Sequence, residues 1–189
     1  MKSARIYTND LNRLIAATKS FVSDSNNRIS FQYIKMEFHA AENKVVAIAV
    51  DGHRMSVEHS VISDCNEDFV AFLKSNTRLP QKQYATISLT EGGKEAIIRC
   101  GGFSFGYTQP QDSGFDWERA IPTGDVKYRI GFNGNYLLSA LQAAKVSTGD
   151  SFKQTVILEF RGNTEPILLR TNKEDIKMVL PIRIKEENT

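Results

Sequence analysis

The sequence predicts an α+β protein built on antiparallel sheets that carry two helices on one face. Three observations lead to that expectation. Strand-like runs of alternating apolar residues recur along its 189 residues and are punctuated by Gly, Asn and Asp. Two stretches, 11–22 and 136–145, set apolar residues at helical spacing. The order of elements also repeats, as a strand, a helix and three further strands.

The first repeat opens with a strand over 4–7. Thr8, Asn9 and Asp10 then offer N-cap oxygens to a helix in which Leu11, Leu14, Ile15, Thr18 and Val22 share one face. Arg13, Ala16 and Ser20 lie opposite, flanked by Asn12 and Lys19, so the helix is one-sided and covers a sheet. Turn residues at 24–27 lead to strands over 28–38, 44–50 and 54–62. In the first of these the apolar set Ile29, Phe31, Tyr33 changes parity to Ile34, Met36, Phe38, which predicts a bulge near Tyr33. Asp51-Gly52 predicts a tight hairpin, with His53 and Arg54 emerging just past it.

The second repeat has a strand over 67–74, but SNTRLPQKQY stands where its helix belongs. Pro80 and the missing helical periodicity predict an extended connection there. Strands follow over 85–89, 95–100 and 103–107, separated by Gly92-Gly93 and Gly101-Gly102. The third repeat restores the pattern, with a strand over 126–132 and Asn133 as N-cap. Leu137, Leu138, Leu141 and Ala144 form the buried stripe of its helix, and strands over 154–160, 166–171 and 176–184 close the chain. In the last strand Ile176, Met178, Leu180, Ile182 and Ile184 alternate with Lys177, Val179, Pro181 and Arg183, and Pro181 suits an edge. The polar, turn-rich stretch 110–125 is the boundary, giving a domain over 1–122 and a half domain over 123–189.

Composition narrows the function. A content of 41% hydrophobic residues suffices for a real core. No apolar run approaches the roughly 18 residues that cross a bilayer, and MKSARIYTNDL lacks the apolar segment of a signal peptide, so a cytoplasmic protein without membrane partners is expected. Twenty-four Lys plus Arg against 22 Asp plus Glu leave a net charge of only +2, so contact with nucleic acid is local, loose or topological rather than a tight grip on phosphates. Cys65 and Cys100 fit no zinc spacing, and no disulfide, metal or cofactor is implied.

No catalytic motif stands out, since His39, His53 and His59 lack helix-spaced metal partners. An enzymatic reading would rest on Asp51 and His53 as an acid/base pair, but near neighbours in a tight hairpin rarely aim at one reacting atom. For the hairpin the plain reading is a turn with solvated His53 and Arg54. For Met178, Leu180 and Ile182 it is ordinary core.

Several phrases taken together resemble the bacterial sliding clamp, the beta subunit of DNA polymerase III. The phrases LNRLIAATKSFVS, DGHRM and GGFSFGYTQPQDSGFDWERAIP make residues 4–122 similar to the middle domain of a clamp. YRIGFNGNYLLSALQAAK and KMVLPIRI make residues 128–184 similar to the second half of its last domain. The resemblance implies sheets outside and helices inside a ring, with no enzymatic activity. It also implies a preceding domain and a further half domain between about 122 and 127 that this sequence does not contain. Ring closure would then take about four chains or another partner.

Carried over by position, the family's pocket for polymerase and repair-protein tails corresponds to Val50, Gly52, His53, Arg54 and Met55 on the hairpin, Pro122 at the connection, and Met178, Leu180, Pro181, Ile182 and Arg183 on the terminal strand. DNA-facing cations correspond to Arg13 and Lys19 on the first helix. The outward residues of the last helix, Asn135, Ser139, Gln142 and Ala143, are polar or small and uncharged. The implied partners are DNA, held weakly and topologically, DNA polymerase, other proteins bearing clamp-binding motifs, and further copies of the chain. The implied function is a replication processivity factor. The alternative is a peptide-binding adaptor that never encircles DNA and competes with a host clamp.

Overall fold

The computed structural model describes residues 1–24, 28–148, 155–171 and 174–184. The chain forms two compact units, Met1–Pro122 and Thr123–Thr189. In the first, β1 (Lys2–Tyr7) leads into α1 (Thr8–Thr18), and β2 (Ile34–His39), β3 (Lys44–Val50) and β4 (Met55–Val61) follow as a meander. A two-residue strand, β5 (Asp64–Cys65), comes next. The second half has β6 (Phe69–Leu73), β7 (Tyr84–Leu89), β8 (Glu95–Cys100) and β9 (Phe103–Thr108).

The two halves exchange their leading strands. β1 pairs with β7, and β6 pairs with β2, giving antiparallel sheets ordered β4-β3-β2-β6 and β5-β1-β7-β8-β9. Neither half completes a sheet by itself. Leu11, Leu14 and Ile15 of α1 close over a core that includes Ile6, Ile34, Met36, Phe38, Leu73, Ile87 and Ile98, all essentially inaccessible to solvent. Phe38 and Phe69 stack across the β2/β6 pair with ring centroids 4.4 Å apart.

The polar residues in the first turns of α1 act differently from the expected caps. The N-cap position is Tyr7, with no side-chain capping bond. Thr8 Oγ1 instead accepts from the Gln83 N–H, Asn9 Oδ1 from the Lys82 N–H and Asn12 Oδ1 from the Leu79 N–H, while the Asn12 amide donates to the Leu79 carbonyl. These bonds fasten the extended connection 74–83 along the flank of α1 and bury Leu79. They satisfy backbone groups that a helix would have satisfied internally.

Two further expectations are corrected. Residues 28–33 are not a strand, because Ile29–Gln32 form a 3-10 turn, and the parity change at Tyr33 marks the end of that turn rather than a bulge. Its tighter three-residue period lets Phe31 turn inward while Ile29 stays exposed. The strand expected over 54–62 is β4, and a four-residue loop precedes it.

The segment after β9 lies across the face of sheet β4-β3-β2-β6 opposite α1. Trp117 Nε1 donates to Glu37 Oε2 at 3.2 Å, Lys35 Nζ donates to the Phe115 carbonyl, and the Trp117 ring meets the edge of His59. Phe115 packs edge-on against Phe31. Gly114 has φ +76°, and a Cβ there would come within 3.1 Å of Phe72. Glycine serves both needs at this crossing.

The second unit contains α2 (Gly134–Thr148) over a sheet of β10 (Ile157–Glu159), β11 (Ile167–Arg170) and β12 (Ile176–Val179). Asn133 caps α2 as expected, its Oδ1 accepting from the N–H groups of Asn135 and Tyr136. The core is small: Ile167, Leu169, Val179 and Ala144 are buried, with Leu137 and Ala140 packed against them.

Several expectations for this unit fail. Leu138 and Leu141 are exposed rather than buried, since one three-stranded sheet covers only part of the apolar surface of α2. The strand expected over 126–132 is reduced to a single bridge, Gly131 opposite Ile182, because no described strand of this unit lies beside it. A Cβ on Gly131 would stand 2.8 Å from Ile184 Cγ1, so the close approach there requires glycine. The terminal strand stops at Val179. Val179, paired with Ile167, is buried against α2, whereas Ile176 and Met178, which alternate with it, stay exposed. The strand expected to begin at 154 starts at Ile157, and residue 154 lies outside the described residues. The turn expected over 24–27 falls mostly outside them as well.

Candidate functional site

The hairpin set belongs to the first unit. Between β3 and β4 the loop has four residues, Asp51 to Arg54, closed by the Asp51 N–H donating to the Arg54 carbonyl at 3.2 Å. Asp51 organises it. Its Oδ1 accepts from the N–H groups of His53 and Arg54, and its Oδ2 accepts from Arg54 Nε at 2.7 Å. Gly52 takes φ +95°, the left-handed conformation that the tip requires. The bond to Arg54, with that from the His53 backbone next, lowers the Asp51 pKa from 3.8 to about 2, so this carboxylate stays ionised and is unsuited to a base.

Arg54 is tied inward as well. Its Nη2 donates to the Ser20 carbonyl at 2.7 Å, and its guanidinium lies over the Phe21 ring at 5.2 Å. Val50 is buried at the end of β3, Met55 is half-buried, and His53 is exposed at the tip. The Asp51–Arg54 pair thus closes the loop, and Arg54 anchors it to Ser20 and Phe21. Pro122 is exposed at the end of this unit.

Arg13 and Lys19 differ in freedom. Arg13 Nη1 pairs with Glu58 at 3.1 Å and its Nη2 donates to the His59 carbonyl at 2.6 Å, which holds the side chain against β4. Lys19 lies in a 3-10 turn, Lys19–Phe21, beyond α1 and is exposed.

The terminal-strand set belongs to the second unit, where it borders a real depression. A groove of 640 Å³ runs between α2 and the chain from Lys177 to Ile182, with Tyr136, Ser139, Ala140 and Ala143 forming its helical wall. Met178, Leu180 and Ile182 remain 62%, 64% and 53% exposed, so they are available to a ligand and are not core. Pro181 ends the ladder and lines the same groove. Arg183 lines a different hollow with Val126, Arg129, Asn163 and Thr164.

Sequence reasoning missed the helical wall. Tyr136, Ser139 and Ala143 recur at helical spacing on one flank of α2, and the small side chains at 139, 140 and 143 are what leave room beside β12. Ser139 and Ala143, expected on the outward face, are exposed and line this groove. Among the described residues no group of three or more His, Cys, Asp and Glu is placed to hold a metal ion. Burial raises the thiol pKa of both Cys65 and Cys100. Among the described residues no helix is long and apolar enough to cross a membrane.

No protein-family model matches the chain, and no curated protein is significantly similar to it in sequence. Solved structures do match it. The DNA polymerase III beta chain from Streptococcus pneumoniae superposes over 99% of this chain and 51% of its own, with a TM-score of 0.81 and 18% identity. The beta subunit from Streptococcus pyogenes does so over 95% and 50%, with a TM-score of 0.79 and 20% identity. The sliding clamp from Bacillus subtilis matches over 97% and 64%, at 0.67 and 16%. The chain thus has the sliding-clamp fold along its length and spans about half of the streptococcal chains it resembles.

Proposed function

We propose that this protein is a clamp-like, non-catalytic replication factor that binds short extended peptide tails of polymerases and other replication proteins. The observation that carries this reading is the exposure of Met178, Leu180 and Ile182 along an apolar groove, in a chain whose whole length takes the sliding-clamp fold. Exposed aliphatic side chains beside a helix suit a peptide whose aliphatic and aromatic anchors enter a cleft while its backbone sets direction. In the first unit Val50, Gly52, His53, Arg54 and Met55, with Pro122, are proposed peptide contacts in their own right, and in the second unit Pro181 and Arg183 accompany the groove.

Residues 1–122 serve in this reading as one clamp-like domain of two half units, the second without its helix, and residues 123–189 as a further half unit. DNA is a weak partner met through Arg13 and Lys19, and the protein works in the cytoplasm, encircling DNA only as an oligomer. The hold of Glu58 on Arg13 favours giving weight to the second reading, an adaptor that binds the same tails without encircling DNA.

A fluorescence-polarisation titration with a labelled clamp-binding peptide tests the main claim. Saturation at a micromolar order of Kd, roughly −8 kcal/mol, is expected. Absence of saturable binding refutes it. Retention on closed circular DNA with release upon linearisation separates an encircling factor from an adaptor.

A further inference from the structure

Within the first unit the chain shows how two half units join. β1 has neighbours on both edges. On one lies β5, the continuation of its own half, with Arg5 opposite Asp64 and the Ser63 N–H donating to the Arg5 carbonyl at 2.7 Å. On the other lies β7, from the other half.

The second unit repeats only the first of these contacts. Gly131 sits opposite Ile182, whose N–H donates to the Gly131 carbonyl at 2.9 Å. Among the described residues no strand occupies the edge corresponding to β7. The same vacancy appears on the meander. β2 and β7 are each the first strand of a meander and each is covered by the leading strand of the other half, whereas β10, in the same position, pairs only with β11 among the described residues.

The helices agree with the strands. Leu11, Ile15 and Thr18 in α1 have the spacing of Leu137, Leu141 and Ala144 in α2. Ile15 is 4% exposed, yet Leu141 is 38% exposed. Asn12, next after Leu11, is bound to Leu79 of the other half through both polar atoms of its amide. Leu138, next after Leu137, is 54% exposed. The flank by which α1 meets its other half is therefore bare on α2, and on α2 it is apolar. It lies on the side of the helix away from the groove beside β12.

We propose that the second unit is half of a domain completed by the same half of a second copy of this chain. The segment 124–131 of each copy adds antiparallel to the open edge of β10 in the other, and the Leu138 and Leu141 flanks of the two α2 helices meet. A second copy is the fitting occupant because each half has both a strand to give and an edge to receive. One two-fold contact satisfies all four. The exchanged strands of the first unit show that this chain already uses such a join internally. The inference stands on the fold and does not depend on peptide binding.

Light scattering coupled to size exclusion on the full chain tests it. The mass should be twice the 21.2 kDa of one chain. Leu138→Glu combined with Leu141→Glu places like charges at the helix contact. Tyr128→Pro, at a residue 78% exposed, removes a strand donor. Both variants should keep the wild-type circular dichroism and run at the mass of a single chain. Peptide titration of the combined Leu138→Glu and Leu141→Glu variant should match the wild type, since the groove lies on the other flank of α2. A wild-type chain that stays monomeric into the hundred-micromolar range overturns the proposal, as does a dimer that survives either change.

Discussion

Asp51 and Arg54 close the β3–β4 loop on each other, with the carboxylate Oδ2 and the guanidinium Nε 2.7 Å apart. One side chain thereby fixes the loop, and the other joins it to the Ser20 carbonyl beyond α1. The loop and the end of the helix region are thus tied to each other.

That contact has a pH signature. The Asp51 pKa falls from 3.8 to about 2 in the folded protein, so its contribution is full above pH 4 and is lost as pH drops through the interval down to about 2. Arg54 is 59% exposed, which limits the contribution to about 1 kcal/mol. Thermal melts of wild type and Asp51→Asn should differ at pH 6 and converge toward pH 2. A constant difference across that range would show that Asp51 acts through shape alone.

Leu180→Asp and Met178→Asp place an unpaired charge against the apolar groove without disturbing a packed core, since both residues are more than half exposed. A loss of several kcal/mol in peptide affinity is expected, which amounts to abolished binding in a polarisation titration. Met55→Asp tests the hairpin independently and should have the same effect. Wild-type affinity in Leu180→Asp and Met178→Asp would remove the groove from the binding surface.

Affinity for linear duplex should be weak and steeply reduced by salt, given a net charge of +2. The structure separates the two cations. Arg13 is already engaged by Glu58, so Lys19→Ala should reduce DNA binding more than Arg13→Ala does. Filter binding at several salt concentrations reads both, and neither change should alter peptide affinity.

Gly114→Ala should destabilise the first unit by about 1 to 3 kcal/mol, because the new Cβ meets Phe72 at 3.1 Å and Lys35 at 3.2 Å while φ stays at +76°. Trp117→Phe, which loses the bond to Glu37 and part of the ring that meets His59, should cost about 1 kcal/mol. Urea unfolding followed by circular dichroism measures both. The reverse ranking would mean that the segment is held mainly through Trp117.

The sequence made the elements legible where periodicity and burial agree. Leu11, Leu14, Ile15 and Thr18 predicted a face that is indeed buried, and Pro80 correctly excluded a helix over 74–83. Errors arose where a pattern had two solutions. Ile29, Phe31 and Tyr33 alternate as a strand would, but a 3-10 turn satisfies the same residues locally. Val126 to Phe132 has strand composition, yet a strand needs an edge to lie on, and sequence does not reveal whether one is present. The groove was half legible: its strand wall carries large aliphatic residues, whereas its helical wall is made by small side chains, whose effect is the space they leave.

The burial of β3 has a consequence on the time axis. Val45, Val46, Ala47, Ile48, Ala49 and Val50 are all buried, on the α1 side and on the other side alike. Val46 lies between Glu37 and His59 in the sheet, and both of those residues touch Trp117 of the crossing segment. Exposing the amides of β3 to solvent therefore requires opening the sheet together with the helix or the crossing segment, so in deuterated water these amides should exchange last. The edge residues of β9, which are mostly exposed, should lose their protons long before, and the slowest protons would report the free energy of opening the whole first unit.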